Sequence, residues 1–342
     1  MKEKEKESLI GKDTNEIIEI VKSFNEKDYR GKQISKWIYQ KFTDNFENMS
    51  DISKDLRNEL SKKYYLYNGQ IIKTSNSDDG TIKYLIKFNN DTIEAVNIFQ
   101  KYHLTACIST QVGCNVKCPF CATGLSGFRK NLSASEIVQQ FLLMQRESKE
   151  RISNIVYMGM GEPLLNYDNT IKSVKILNKE VGIGIRNITI STSGILKGME
   201  KIIKENLQFN LAISLHTADE EQRNKLVPIN KNNPLKDLLF LCKKYVQETN
   251  RRITFEYVML NNINDSIDHA KLLIEKLKGI HCHINLIPHN KIYSSENYES
   301  TPMNKIKLFK DILSEYFPTT IRVSRGREKD SACGQLRIIQ GV

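Results

Sequence analysis

The chain has 342 residues, 51 of them Lys or Arg and 40 Asp or Glu, a formal net charge of +11. With 39% hydrophobic and 27% charged residues, 17 Gly and 7 Pro, it carries enough apolar material for a core, which excludes collagen-like, mucin-like, wholly disordered and small disulfide-framework classes. No apolar run approaches the ~18 residues of a membrane span, and the charged start lacks the apolar core of a secretory signal, so a cytoplasmic chain with reduced thiols and no membrane partner is expected.

Residues 1–12 are a charge run expected to be a disordered tail. From about residue 15 to 63 the pattern is helical. Ile17, Ile18, Ile20 and Val21 make one apolar stripe; Ile34, Trp37, Ile38 and Phe42 make a second, spaced i, i+3, i+4, i+8. Residues 70–73, 81–86 and 91–96 read as short antiparallel strands, the first two joined by a Ser-Asn-Ser-Asp-Asp-Gly turn. Residues 13–98 are therefore expected to be an accessory region, helices followed by a β-meander. Beyond it strands and helices alternate. Strands are expected at 105–110, 154–160, 187–191, 209–215, 253–259 and 283–287. Helices are expected at 133–146, opened by a Ser133-x-x-Glu136 capping box, and at 235–247, 266–278 and 304–316. Six βα units imply a parallel α/β sheet, open or rolled into a full or partial barrel, over residues 99–303. Residues 304–342 would add a C-terminal helix, strand and tail.

Four of the seven cysteines fall within residues 107–121, after the first of these strands: Cys107, Cys114, Cys118 and Cys121. Thiolates at the spacing Cys114-x3-Cys118-x2-Cys121 can wrap three corners of a cubane iron–sulfur cluster and leave one iron open. A zinc site would need closely paired ligands elsewhere, and Cys242, Cys282 and Cys333 stand singly. The zinc-deaminase pattern needs His-x-Glu, which none of the six histidines offers. Cys118-Pro-Phe-Cys121 alone would suit a thioredoxin-type dithiol, at the expense of an idle Cys114.

The wider pattern resembles the RlmN/Cfr family of radical S-adenosylmethionine (SAM) RNA methyltransferases, closer to RlmN. The matching stretches are Asp28-Tyr-Arg-Gly-Lys-Gln-Ile34, the cysteine segment 107–124, Met158-Gly-Met-Gly-Glu-Pro-Leu-Leu-Asn166, Ser191-Thr-Ser-Gly194, Ser214-Leu-His216, Glu256-Tyr-Val-Met-Leu260, Asn285-Leu-Ile-Pro-His-Asn290 and Ser331-Ala-Cys-Gly-Gln-Leu336. The resemblance implies a partial (βα)6 radical-SAM barrel with one [4Fe-4S] cluster on Cys114, Cys118 and Cys121, and two SAM molecules per turnover. Gly161 and Glu162 would meet the methionine end of SAM, and Ser191, Ser214, Leu215, His216 and Asn290 its remaining polar groups. It also implies that Cys333 is methylated by one SAM, that a radical from a second activates this methyl for addition to an adenine carbon, and that Cys107 then releases the product through a transient disulfide. Glu94 matches the family's ring-proton base. Cys242 and Cys282 read as packing residues.

Residues 101–131 hold four Lys or Arg and no acid. The last 26 residues hold Arg322, Arg325, Arg327, Lys329 and Arg337 against Glu328 and Asp330. Such stretches beside the redox cysteines fit phosphate contacts to RNA, and Arg30, Lys32, Lys36 and Lys41 offer a second RNA platform or a protein-docking face. The expected activity is methylation of adenosine C2 in large-subunit ribosomal RNA, with transfer RNA a further substrate, by a monomer drawing electrons from flavodoxin or ferredoxin. Methylation of C8, and a non-catalytic iron–sulfur or dithiol RNA-binding role, are the alternatives.

Overall fold

The computed structural model describes residues 6–100, 103–292, 298–322, 325–326 and 329–337. Three helices come first: α1 (Thr14–Lys22), α2 (Asp28–Tyr39) and α3 (Lys54–Lys63). An Asp13–Glu16 capping box starts α1. The two expected stripes are buried through Ile17, Ile18 and Val21 on α1 and Ile34 and Ile38 on α2.

The expected disordered tail is corrected from Lys6 onward. Glu7–Ser8 pairs in parallel with Tyr64–Tyr65, and Leu9 and Ile10 are buried in the main core. Burying two aliphatic side chains stabilises by roughly 3–6 kcal/mol, enough to fix a short segment whatever charges precede it. Residues 1–5 lie outside the described residues.

One ten-stranded sheet organises the rest. Its strands are β1 (Gly69–Asn76), β2 (Ile82–Phe88), β3 (Asp91–Gln100), β4 (His103–Cys107), β5 (Ile152–Tyr157), β6 (Ile188–Thr192), β7 (Asn210–Ser214), β8 (Ile253–Met259), β9 (Cys282–Pro288) and β10 (Thr319–Ile321). Their order across the sheet is their order along the chain. The first three pairings are antiparallel and those from β4 to β10 parallel. The expected boundary near residue 98 is thus no break in the sheet, because β3 pairs with β4 across it and sets Val96 opposite Cys107. β1 and β10 are the two edges, which leaves the barrel open.

The helices α4 (Ala134–Glu147), α5 (Tyr167–Lys179), α6 (Leu196–Lys204), α7 (Glu220–Leu226), α8 (Leu235–Thr249), α9 (Ile267–Leu277) and α10 (Met303–Ser314) connect the parallel strands. They send Leu142, Leu177, Ile202, Leu238, Leu273 and Phe309 into one continuous core. The Ser133–Glu136 capping box of α4 forms as expected. Helices α5, α6 and α7 are additional to the expected set, whereas β10 is the strand expected within residues 304–342. α7 is only seven residues long, too short to show a period.

Candidate active site

The cysteine loop is held in the throat of a small hairpin, in which Gln111–Gly113 pairs with Phe128–Asn131. The amide of Cys114 closes the loop on the Gly127 carbonyl at 2.8 Å. Gly124 permits the return past Cys118, since a Cβ there would stand 2.7 Å from the Cys118 carbonyl oxygen. All three cysteines pack against one apolar cluster formed by Val116, Phe120, Leu226, Val227, Val258 and Leu260, and all three border one cavity of about 970 Å³. Burial pushes the Cys114 thiol up to about 12. Burial, then Cys121 and Cys114, pushes Cys118 well above the usual thiol range. Three part-buried thiols that oppose one another's ionisation need a cationic core before all can be thiolates, and the donor set fits a cluster held by three cysteines. Cys114 shares the cavity and the cluster equally, so a Cys118–Cys121 dithiol accounts for less of the arrangement. Among the described residues no group of three or more His, Cys, Asp and Glu is arranged to hold a single metal ion.

The same cavity takes in Gly161, Glu162, Ser191, Ser214, His216 and Asn290. Glu162 is fixed from both sides. One carboxylate oxygen accepts the amide and hydroxyl of Ser193 at 2.7 and 2.6 Å, and the other accepts the Leu164 amide at 3.0 Å. Burial raises its pKa, against the pull of these donors. Gly161 has φ +99, and a Cβ would meet the Gln111 Cβ at 2.5 Å. Gly161→Ala is therefore expected to cost about 2–5 kcal/mol, strain plus overpacking, read as a lowered urea midpoint. His216, in the left-handed region at φ +62, accepts the Val258 amide on Nδ1 at 3.1 Å. Burial pushes its pKa down to about 3, so the ring is neutral at physiological pH with its proton on Nε2. The Ser191 and Ser214 hydroxyls lie 3.4 Å apart. Leu215 is placed differently from expectation. Its side chain is buried in the main core and does not line the cavity, and its backbone bonds to Glu256 and Arg223. Asn290 donates to the Cys333 carbonyl at 3.0 Å and so grips the C-terminal segment.

Cys333 belongs to two cavities. It borders the one just described and a neighbouring one of about 1160 Å³ that contains Cys107. Burial pushes the Cys107 thiol up to about 12, and the nearness of Cys333 adds to this. Arg322 borders both cavities, with its guanidinium 3.9 Å from Glu256. Cys333 first, then Glu256 and Cys107, hold it in the charged form, against the effect of burial. Glu94 is not brought to either cavity. It lies on the same face of β3 as Val96, the partner of Cys107, but its carboxylate is taken up by Lys83 at 2.9 Å and the Arg337 amide at 2.8 Å.

Several site residues escape sequence reading. Ser193 orients Glu162. Arg223 looks like one charge among many in α7, yet it is fully buried. It donates to the carbonyls of Ser193, Ser214 and Leu215 at 2.7, 3.2 and 3.2 Å and to the Asn230 side chain, pinning the loops after β6 and β7 together. The basic stretches are partly spent inside the molecule. Arg129 and Lys130 pair with Asp91, Lys130 also with Glu136, and Arg337 with Asp330; Arg322 faces the cavities. Lys32, Lys36, Lys41, Lys117 and Lys329 are exposed, whereas Arg30 is half-buried and bonds to Gln33 and Asp51. Lys101 and Arg327 lie outside the described residues. Cys242 and Cys282 are core residues.

An open parallel barrel with three cysteines on the loop region after its first parallel strand is the architecture of radical SAM enzymes, and residues 108–273 match the radical SAM superfamily. Residues 8–66 match the N-terminal domain of ribosomal RNA large subunit methyltransferases. A probable dual-specificity RNA methyltransferase RlmN from Trichodesmium erythraeum is 44% identical over 96% of this chain and 95% of its own length. A counterpart from Bacillus thuringiensis is 43% identical over 98% and 94%. The crystal structure of a radical SAM methyltransferase from Sphaerobacter thermophilus superposes with a TM-score of 0.93 at 38% identity, over 96% of this chain and 99% of that one. The chain belongs to the RlmN family of radical SAM RNA methyltransferases.

Proposed function

We propose that the chain methylates C2 of an adenosine in large-subunit ribosomal RNA, and a transfer RNA as its second substrate, with Cys333 carrying the methyl group. The observation that carries this reading is the position of Cys333 on the border of two cavities, one with the cluster cysteines and one with Cys107. A second RNA substrate is in keeping with the dual specificity named for the relatives, and we take transfer RNA to be that substrate.

A [4Fe-4S] cluster on Cys114, Cys118 and Cys121 would supply an open iron for SAM and the electron that cleaves it. The wall of Val116, Phe120, Val227 and Val258 packs apolar surface against the three sulfurs and would limit the water that reaches them. Glu162, fixed by Ser193 and Leu164, presents a preoriented carboxylate for a ligand ammonium. The Ser191 and Ser214 hydroxyls and the Nε2–H of His216 offer hydrogen bonds to sugar or carboxylate oxygens. Cys333 provides the sulfur that accepts a methyl group, and charging and activating it consumes two SAM molecules per turnover. Cys107, in the same cavity, provides the thiol that closes a disulfide with Cys333 as the methylated base leaves. Arg322 supplies positive charge beside both sulfurs. An external low-potential donor, flavodoxin or ferredoxin in type, completes the electron supply.

The test is mass spectrometry of ribosomal and transfer RNA nucleosides from a methylase-deficient host expressing the chain. 2-Methyladenosine in both RNAs is expected. 8-Methyladenosine alone, or neither product, would overturn the proposal.

A further inference from the structure

Cys333 must be held at the meeting of two cavities, yet it lies on a segment after the last strand, with no sheet ladder to fix it. The described residues 329–337 are tied to the barrel by the cysteine loop and the end of β9. The Ala122 amide donates to the Gly334 carbonyl at 2.7 Å, the Thr123 hydroxyl to the Leu336 carbonyl, and Asn290 to the Cys333 carbonyl. Two further side chains, Lys83 on β2 and Glu94 on β3, also engage this segment. Lys83 Nζ donates to the Asp330 carbonyl at 3.1 Å and to Glu94 at 2.9 Å. The second oxygen of Glu94 accepts the Arg337 amide at 2.8 Å. The pair thus grips the backbone three residues before Cys333 and four residues after it. Glu94 is 1% exposed and the Lys83 side chain 14%, and neither borders either cavity.

A buried carboxylate is tolerated where a cation and a backbone N–H both satisfy it, and removing one partner then costs far more than at a surface. Lys83 and Glu94 come from neighbouring strands of the meander in diagonal register, Lys83 opposite Val96 and Glu94 opposite Leu85. Val96 is in turn opposite Cys107. The same rigid sheet therefore fixes Cys107 directly and the Cys333 segment through two side chains, setting their mutual distance.

We propose that Lys83 and Glu94 are positioning residues, a latch that holds the Cys333 segment against the meander and so sets the approach of Cys333 to SAM and to Cys107. The catalytic side of this statement rests on the reading of Cys333 as methyl carrier; the latch itself does not. It gives Glu94 a role upstream of any removal of a ring proton, because charging Cys333 involves no adenine.

The test uses the full-length chain as wild type, Glu94→Ala, Glu94→Gln, Lys83→Ala and Arg337→Pro. The last deletes the amide that Glu94 accepts while leaving both latch side chains and the barrel core intact, so it stands even where a buried variant fails to fold. Amide exchange of the peptide covering residues 329–337 is read on cluster-free protein, and methylation of Cys333 on reconstituted protein with SAM and no RNA. Exchange about fivefold to tenfold faster than wild type, the effect of one lost hydrogen bond, is expected for Glu94→Ala, Lys83→Ala and Arg337→Pro. Glu94→Gln, whose amide oxygen keeps one bond, should fall between. Methylation of Cys333 should drop in the same order. Unchanged exchange in the folded variants would overturn the latch, and so would normal charging of Cys333 in Glu94→Ala with RNA product lost, which would return Glu94 to proton removal. Faster exchange in a chain whose wild type never methylates Cys333 would keep the latch and refute the methyl-carrier reading.

Discussion

Cys107→Ala is expected to halt the reaction with RNA covalently attached to the protein through Cys333. Cys107 shares a cavity with Cys333, and the nearness of Cys333 adds to the burial that holds the Cys107 thiol protonated. Without Cys107 no second thiol borders that cavity except Cys121, which the proposed cluster would occupy. The adduct should accumulate to about one RNA per charged chain, and turnover should fall by ~10³-fold or more, the scale of losing an essential covalent partner. Denaturing electrophoresis with labelled RNA reads it. The wild-type release step should also depend on pH in a defined direction. Burial pushes Cys107 up to about 12, so at neutral pH its thiol is protonated, and the attacking thiolate gains about tenfold per pH unit below that value. Single-turnover release should therefore quicken from pH 7 to pH 9; a rate that falls over this range would contradict the assignment.

Cys118→Ala is expected to remove the cluster altogether. Of the three proposed ligands it is the one whose ionisation both burial and the other two cysteines oppose, and the pocket without it offers only two thiols to compensate a cationic core. Anaerobic reconstitution should give a brown wild type with about four irons per chain and a colourless variant with almost none, inactive toward RNA. Cys242→Ala is the contrast. Its thiol is buried in the core of α8, and the variant should keep its iron while losing about 1 kcal/mol of stability for the deleted sulfur. A wild type that stays colourless and takes up only zinc would remove the cluster from the account.

The sequence reveals the parallel strands because each is a short apolar run bounded by polar turns, and 253–259 coincides with β8 residue for residue. The cysteine loop is equally legible, since its spacing is local. What depends on contacts between distant segments is not. Nothing in the charged start indicates that Leu9 and Ile10 will find the core. Arg322 reads as an RNA phosphate contact and Arg223 as nothing in particular, and only the fold shows that the first borders both cavities and the second pins two loops. Glu94 is placed by its family position, but its partners at Lys83 and Arg337 lie 11 residues before and 243 after it, a relation that periodicity cannot show. The continuity of the meander with the barrel is likewise invisible, because a hairpin after residue 98 reads the same whether it ends one sheet or extends another.

The most direct measurement is peptide mass spectrometry of Cys333 after reconstituted protein has been incubated with SAM bearing an isotopically labelled methyl group, first without RNA and then with it. A labelled methyl on Cys333, absent from Cys107, Cys242 and Cys282 and passed on to adenosine when RNA is added, is the expected result. RNA that becomes methylated while Cys333 stays unmodified at every time point would contradict the account.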